Sequence, residues 1–193
     1  MNILQLIRSA VAARIDLVQI REKNLSARVL YELATAGVRI TEGSATRLLI
    51  NDRSDVAAAS GAAGVHLATS SVRTAVVRQT FGAQFLIGVS AHTLEEATVA
   101  RQGGADFAVF GPVFDTASKR AYGSALGVPA LARATSELEP FPILAIGGVS
   151  LINVGDCIAA GARGVAAITM LQQPDTVADV AEAIRRIAMK SRF

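Results

Sequence analysis

The sequence has no tryptophan, one cysteine, two histidines and five prolines, and aromatic residues make up 5% of its 193 positions. So thin an aromatic complement leaves few side chains on which bases could stack. No run of five or more basic residues offers a track for a nucleic-acid backbone. The lone Cys157 excludes an internal disulfide and points to a reducing, cytoplasmic compartment. Its surroundings, Asp156-Cys157-Ile158-Ala159-Ala160, read as helix and make it a buried apolar side chain rather than a nucleophile. No apolar stretch is long enough to span a bilayer, and the opening segment, with Arg8 and Arg14 around a short apolar run, does not read as a secretion signal. Charge is scarce as well, at 18% of residues with a net of +3. Histidines and carboxylates do not fall at zinc-ligand spacing. Also missing is the Gly-x-Gly-x-x-Gly turn that a dinucleotide-binding sheet carries after an early strand.

What is abundant is small and branched aliphatic side chains, within a hydrophobic content of 51%. That balance suits helices packed over a sheet buried on both faces. Short apolar runs predict strands at Asp16–Ile20, Arg47–Ile50, Gly64–Leu67, Phe85–Val89, Phe107–Phe110, Ile143–Ile146 and Gly164–Ile168. Periodic apolar patterns predict helices at Asn2–Ala13, Ser26–Thr41, Ser54–Ser60, Ser71–Phe81, Leu94–Gln102, Val128–Glu137, Leu151–Ala160 and Asp175–Met189. Ser26, Thr93 with Glu96, and Pro174-Asp175 are start signals; Gly37 or Gly43, Gly61, Gly103-Gly104 and Gly161 are stop signals. No linker divides the chain, so residues 1–193 form one domain of repeated αβ units. A (β/α)8 barrel fits this pattern better than a dinucleotide-binding sheet. Only seven strands are countable, however, and the first helix has no strand before it. A barrel lacking its first strand exposes edges that invite pairing into a homo-oligomer.

In a barrel the C-terminal ends of the strands carry the chemistry. Here those ends supply Gln19, Arg21 and Lys23; Asn51, Asp52 and Arg53; Thr69, Ser70 and Ser71; Ser90 and His92; Gly111, Thr116, Ser118 and Lys119; Gly147 and Gly148; and Thr169. Cations, amides and hydroxyls dominate, with Asp52 the one well-placed acid, since Glu22 alternates away from Arg21 and Lys23. Such a set suits a small phosphate or diphosphate ester and not a hydrolytic dyad or a Ser-His-Asp site. Gly147-Gly148 and the Ile168-Thr169 turn follow the last two strands, where barrels bind phosphate; the alternative for the glycine pair is a tight loop without a ligand. Asn51-Asp52 either caps the helix from Ser54 or binds ligand. His66 reads as a packed interior side chain and His92 as a loop or cap residue. Lys119 is a solvated or a phosphate-binding lysine. Asp52 holds Mg²⁺ only if phosphate oxygens and water complete the shell.

Six segments in order, Gln19-Ile20-Arg21-Glu22-Lys23, Asn51-Asp52-Arg53, Gly64-Val65-His66-Leu67, Gly88-Val89-Ser90, Phe110 to Lys119 and Ala145-Ile146-Gly147-Gly148-Val149, resemble the thiamine phosphate synthase family, whose relatives include thiazole tautomerases. The resemblance covers nearly the whole chain. It implies a (β/α)8 barrel in which an aminopyrimidine methyl diphosphate loses diphosphate and a thiazole phosphate nitrogen attacks the resulting carbocation. By the same resemblance Gln19, Arg21, Lys23, Asn51, Ser90 and Lys119 hold the pyrimidine diphosphate, with Arg21, Lys23, Ser90 and Lys119 assisting the chemistry. Asp52 binds Mg²⁺. Thr116, Ala117 and Ser118 line the thiazole phosphate site, and Gly147, Gly148, Ile168 and Thr169 surround its phosphate.

The chain departs from the family pattern in places. Ser71 stands where the family synthase has a second Mg²⁺ aspartate, and a neutral hydroxyl is a poorer ligand. Ser118 and Thr169 are mild exchanges among hydroxyl side chains. The tautomerase branch also lacks that aspartate but relays a proton through a histidine where this chain has Pro112, which has no proton to relay. The expectation is therefore a synthase-like transferase. A tautomerase-like isomerase relying on His66 or His92, or a non-catalytic phosphate-ester binder, is the alternative.

Overall fold

The computed structural model describes residues 2–115 and 125–191. The elements alternate along the chain: α1 Ile3–Ala12, β1 Leu17–Ile20, α2 Ala27–Thr41, β2 Arg47–Asn51, α3 Ser54–Ser60, β3 Gly64–Leu67, α4 Thr74–Phe81 and β4 Leu86–Ala91. They continue with α5 Leu94–Gln102, β5 Phe107–Phe110, α6 Gly127–Leu138, β6 Ile143–Ile146, α7 Val154–Ala159, β7 Gly164–Ala166 and α8 Val177–Lys190, with a short 3-10 turn at Thr169–Leu171 between the last two. The strands form a single parallel sheet in sequential order from β1 to β7. Sequential parallel order with a helix at each crossover is the arrangement of a (β/α) barrel, here with seven strands among the described residues.

Register fixes which side chains face inward. The pairs Leu17↔Arg47, Leu49↔Gly64, Asn51↔His66, His66↔Gly88, Ser90↔Val109 and Leu144↔Gly164 place alternate residues of all strands on one face. On that inner face Leu17, Leu49, Leu86, Phe107, Val109, Leu144, Ile146 and Ala166 form one apolar cluster. The outer face packs under the helices in two larger clusters, one around Leu48, Ile50, Val65 and Ile87 and the other around Ala108, Phe110, Ile143 and Ala145. Burial on both faces explains why the strands read as unbroken apolar runs. Phe107 fills the inner space across Gly88, where any Cβ would come within 2.3 Å of the ring; the glycine makes room for the aromatic plug.

Helix α1 lies beside α2 and α8. The Arg185 guanidinium of α8 donates to the carbonyls of Ala13 and Arg14 at 2.8 and 2.6 Å, and Ala13 buries itself with Val177 and Ala181. This contact joins the first and last helices of the ring.

Several boundaries differ from the sequence reading. Helix α4 begins at Thr74 rather than Ser71, because the Ser71 hydroxyl is engaged by the Ala68 N–H and the Asp52 carboxylate. Gly37 sits buried inside α2, and the helix stops before Gly43. Strand β4 runs on to Ala91 and carries Ser90 within it. Strand β7 ends at Ala166, and Ile168 and Thr169 belong to the turn beyond. Helix α7 begins at Val154, after a turn in which the Asn153 carboxamide accepts from the Ser150 N–H. Helix α8 begins at Val177, with no side-chain cap.

Candidate functional site

Alternation along the inner face lifts four polar side chains above the apolar plug, one from each of the first four strands: Gln19, Asn51, His66 and Ser90. They pair laterally. The Gln19 amide donates to Asn51 Oδ1 at 2.9 Å, and His66 Nε2 lies 3.0 Å from Ser90 Oγ. Arg21 and Lys23 follow β1 and are exposed at the same rim. The charge of Arg21 is felt at His66, whose pKa falls to about 4, first through burial and then through that repulsion. His66 is therefore neutral at pH 7, in keeping with a packed interior histidine.

Asp52 follows β2 in a left-handed backbone conformation, φ 62°, and its N–H donates to the His66 carbonyl at 2.9 Å. Its carboxylate accepts a short hydrogen bond from the Ser71 hydroxyl, which in turn accepts from the Ala68 N–H at 2.8 Å. The capping alternative for Asn51-Asp52 fails: α3 is preceded by Arg53, and no side chain caps it. Arg53 turns away from the rim into a two-point ion pair with Asp55 at 2.8 and 2.6 Å. That contact holds the Asp55 carboxyl below its ordinary range. Asp52 and Ser71 thus form a rim pair with one carboxylate. Among the described residues no group of three or more acidic, histidine or cysteine side chains converges on a common point. The donor set fits a Mg²⁺ ion that brings most of its ligands with it, as diphosphate oxygens and water, and does not fit an all-protein cage.

On the opposite side of the rim, β5 continues through Gly111-Pro112 into a segment held against the end of β6. Val113 N–H donates to the Ile146 carbonyl at 2.8 Å, and Phe114 N–H to the Gly147 carbonyl at 3.0 Å. Gly147 and Gly148 have φ values of 94° and 62°. A Cβ would meet the Pro112 Cα at 2.5 Å from Gly147 and the Phe114 Cβ at 2.7 Å from Gly148. The tight-loop alternative therefore has a physical cause, the close approach of residues 112–115. It does not use up the turn, since Gly148 stays exposed with its carbonyl fixed by the Asn153 amide at 2.9 Å. Ile168 and Thr169 are exposed beside it, beyond β7.

The structure thus brings Gln19, Arg21, Lys23, Asn51, Asp52 and Ser90 to one side of the rim and Gly147, Gly148, Ile168 and Thr169 to the other. Thr116, Ala117, Ser118 and Lys119 lie outside the described residues. Two further side chains touch this set. Ser71, expected both at a strand end and at the start of a helix, is a partner of Asp52 and lies before α4; His66, the packed interior histidine expected, also contacts Ser90. His92 Nδ1 hydrogen-bonds the Gly111 carbonyl, and the His92 N–H donates to Glu96 at 2.6 Å, so it works as a loop residue at the head of α5. Cys157, on α7, is fully buried. Burial, helped by the nearby Asp156 charge, pushes its thiol to about 11.

Comparison with known proteins bears on what this rim serves. The family model described as thiamine monophosphate synthase matches residues 1–171. The chain belongs to that family. A protein of Geobacter sulfurreducens is 46% identical over 175 residues, 90% of this chain and 82% of its own. The thiamine-phosphate synthase of Methanospirillum hungatei is 38% identical over 91% of this chain and 85% of its own. That of Moorella thermoacetica is 37% identical over 98% and 90%. Among solved structures, thiamine phosphate pyrophosphorylase from Pyrococcus furiosus superposes with a TM-score of 0.86 at 28% identity, covering 97% of this chain and 90% of that one. A 3-hexulose-6-phosphate synthase, at 17% identity and a TM-score of 0.70, shares the fold alone. The thiamine monophosphate synthase family therefore embraces both the sequence and the barrel architecture expected from the six segments.

Proposed function

We propose that this protein is a thiamine-phosphate synthase of thiamine biosynthesis, a transferase that joins an aminopyrimidine methyl diphosphate to a thiazole phosphate and releases diphosphate. The observation that carries the reading is the division of the rim. A cationic and amide-rich half from β1 to β4 faces a glycine turn at β6, so two anionic groups can be held apart across one mouth. In the reaction the methylene C–O bond breaks with its electron pair leaving on diphosphate, and the thiazole nitrogen lone pair then forms the new C–N bond. Arg21 and Lys23 offset the charge that grows on the leaving group. Gln19 and Asn51, locked together, orient the pyrimidine half, and Ser90 offers a hydroxyl between ring and diphosphate. The exposed turn at Gly147 and Gly148, with Ile168 and Thr169 beside it, receives the thiazole phosphate. Thr116, Ala117, Ser118 and Lys119 complete the set through the family resemblance.

Mg²⁺ bound with the diphosphate would be held by Asp52, with Ser71 as a neutral neighbour, and would supply charge neutralisation to the leaving group. The single cysteine fits a cytosolic location, and among the described residues no helix is long and apolar enough to cross a membrane. An isomerase reading has less support. Pro112 carries no transferable proton, and His66 and His92 each have a ring nitrogen engaged by the protein. Formation of thiamine phosphate from the two purified substrates with Mg²⁺ is the test. Repeated absence of product would sink the synthase reading and leave the isomerase and the phosphate-ester binder.

A further inference from the structure

We propose that His66 is a positioning residue that, through an Nε2–H donated to Ser90 Oγ, turns the Ser90 hydroxyl proton outward to the diphosphate substrate. The proposal rests on the synthase reading, and three features of the structure lead to it. The first is placement. His66 is 7% exposed, and its ring meets Phe107 edge-on at 6.1 Å and 71°. Phe107 is itself wedged over Gly88, so the imidazole has little freedom to turn. The second is the contact: Nε2 lies 3.0 Å from Ser90 Oγ, and Ser90 is half-buried at the rim, with His66 behind it. The third is donor arithmetic. A neutral imidazole has one N–H, and a serine hydroxyl has one proton with two lone pairs. If Ser90 donated to His66, it would face the substrate with lone pairs alone, and diphosphate oxygens are acceptors too. Only the Nε2–H tautomer lets Ser90 accept from behind and donate forward.

The sequence holds two histidines, so ¹⁵N NMR of the whole chain resolves His66 once a His92→Gln sample assigns the other ring. The expected result at pH 7 is a protonated Nε2 and a bare Nδ1 for His66. Kinetics with the pyrimidine diphosphate supply the second arm. His66→Leu and Ser90→Ala should each lower kcat/KM by about tenfold or more, the scale of one hydrogen bond. His66→Gln, which can still donate an N–H, should recover most of that loss, and the double variant His66→Leu/Ser90→Ala should be no worse than either single one. An Nδ1–H tautomer, or a folded His66→Leu protein with wild-type kcat/KM beside an impaired Ser90→Ala, would overturn the proposal. If the wild-type chain makes no thiamine phosphate, the tautomer still decides. Calorimetric binding of inorganic diphosphate then replaces the kinetics, with equal weakening in His66→Leu and Ser90→Ala expected and undiminished binding in His66→Leu contradicting it.

Discussion

At the scale of single residues, the inner face of the sheet sets what each side chain can do. His66 has a pKa near 4 when folded, against about 6.5 for an unfolded histidine. Below pH 6.5 the unfolded chain therefore takes up a proton that the folded chain refuses. Stability should fall as pH drops from about 6.5 to 4, by up to about 3 kcal/mol from this residue alone. Denaturant melts across that window should show the slope, and His66→Gln should flatten it. Gly88 yields a second expectation. A methyl group there would press on the Phe107 ring, so Gly88→Ala should cost about 1–3 kcal/mol in thermal unfolding, with Phe107→Leu relieving part of the loss. The sequence carried much of this level. Gln19, Arg21, Lys23, Asn51, Asp52 and Ser90 stood at strand ends and do share a rim. The Ser71 bond to Asp52 and the His66 contact with Ser90 were not legible, since each joins residues 19 or more positions apart through a register that spacing does not encode.

At the scale of elements, the apolar runs marked all seven strands, because a strand buried on both faces has no polar positions to disguise it. Boundaries were less legible where polar loops hold the chain. Asn153 and Ser150 tie up the first turn expected of α7, and Ser71 bonds the Ala68 N–H instead of opening α4. The lower joints of the sheet depend on one guanidinium. Arg78 of α4 donates to the carbonyls of Gly104, Gly82 and Phe85 and to Asp106, and the same Asp106 oxygen accepts from the Ile87 N–H at the base of β4. Arg78→Ala would remove the donor from three carbonyls and a carboxylate, three of these four contacts being part-buried. A loss of about 2–4 kcal/mol is expected in chemical denaturation. Arg78→Lys should recover only part of it, since an ammonium cannot reproduce the planar fork.

At the scale of the molecule, the seven strands form one sequential parallel sheet, and the first and last helices meet through Arg185 and the carbonyls that end α1. Arg185→Ala should lower the unfolding free energy by about 1–3 kcal/mol while leaving secondary structure intact by circular dichroism. The repeat of strand and helix made the barrel readable from composition and periodicity. The reaction entered only through the six segments, since no physical rule turns a cationic rim into one particular diphosphate ester. The central claim is that this rim joins two phosphorylated halves into thiamine phosphate. Its most direct measurement is the product formed from aminopyrimidine methyl diphosphate and thiazole phosphate over a Mg²⁺ titration, for the wild-type chain and Asp52→Asn. Product that rises with Mg²⁺, and needs about tenfold or more Mg²⁺ once Asp52 is neutralised, is the predicted result. Both substrates bound and recovered unchanged at saturating Mg²⁺ would contradict it.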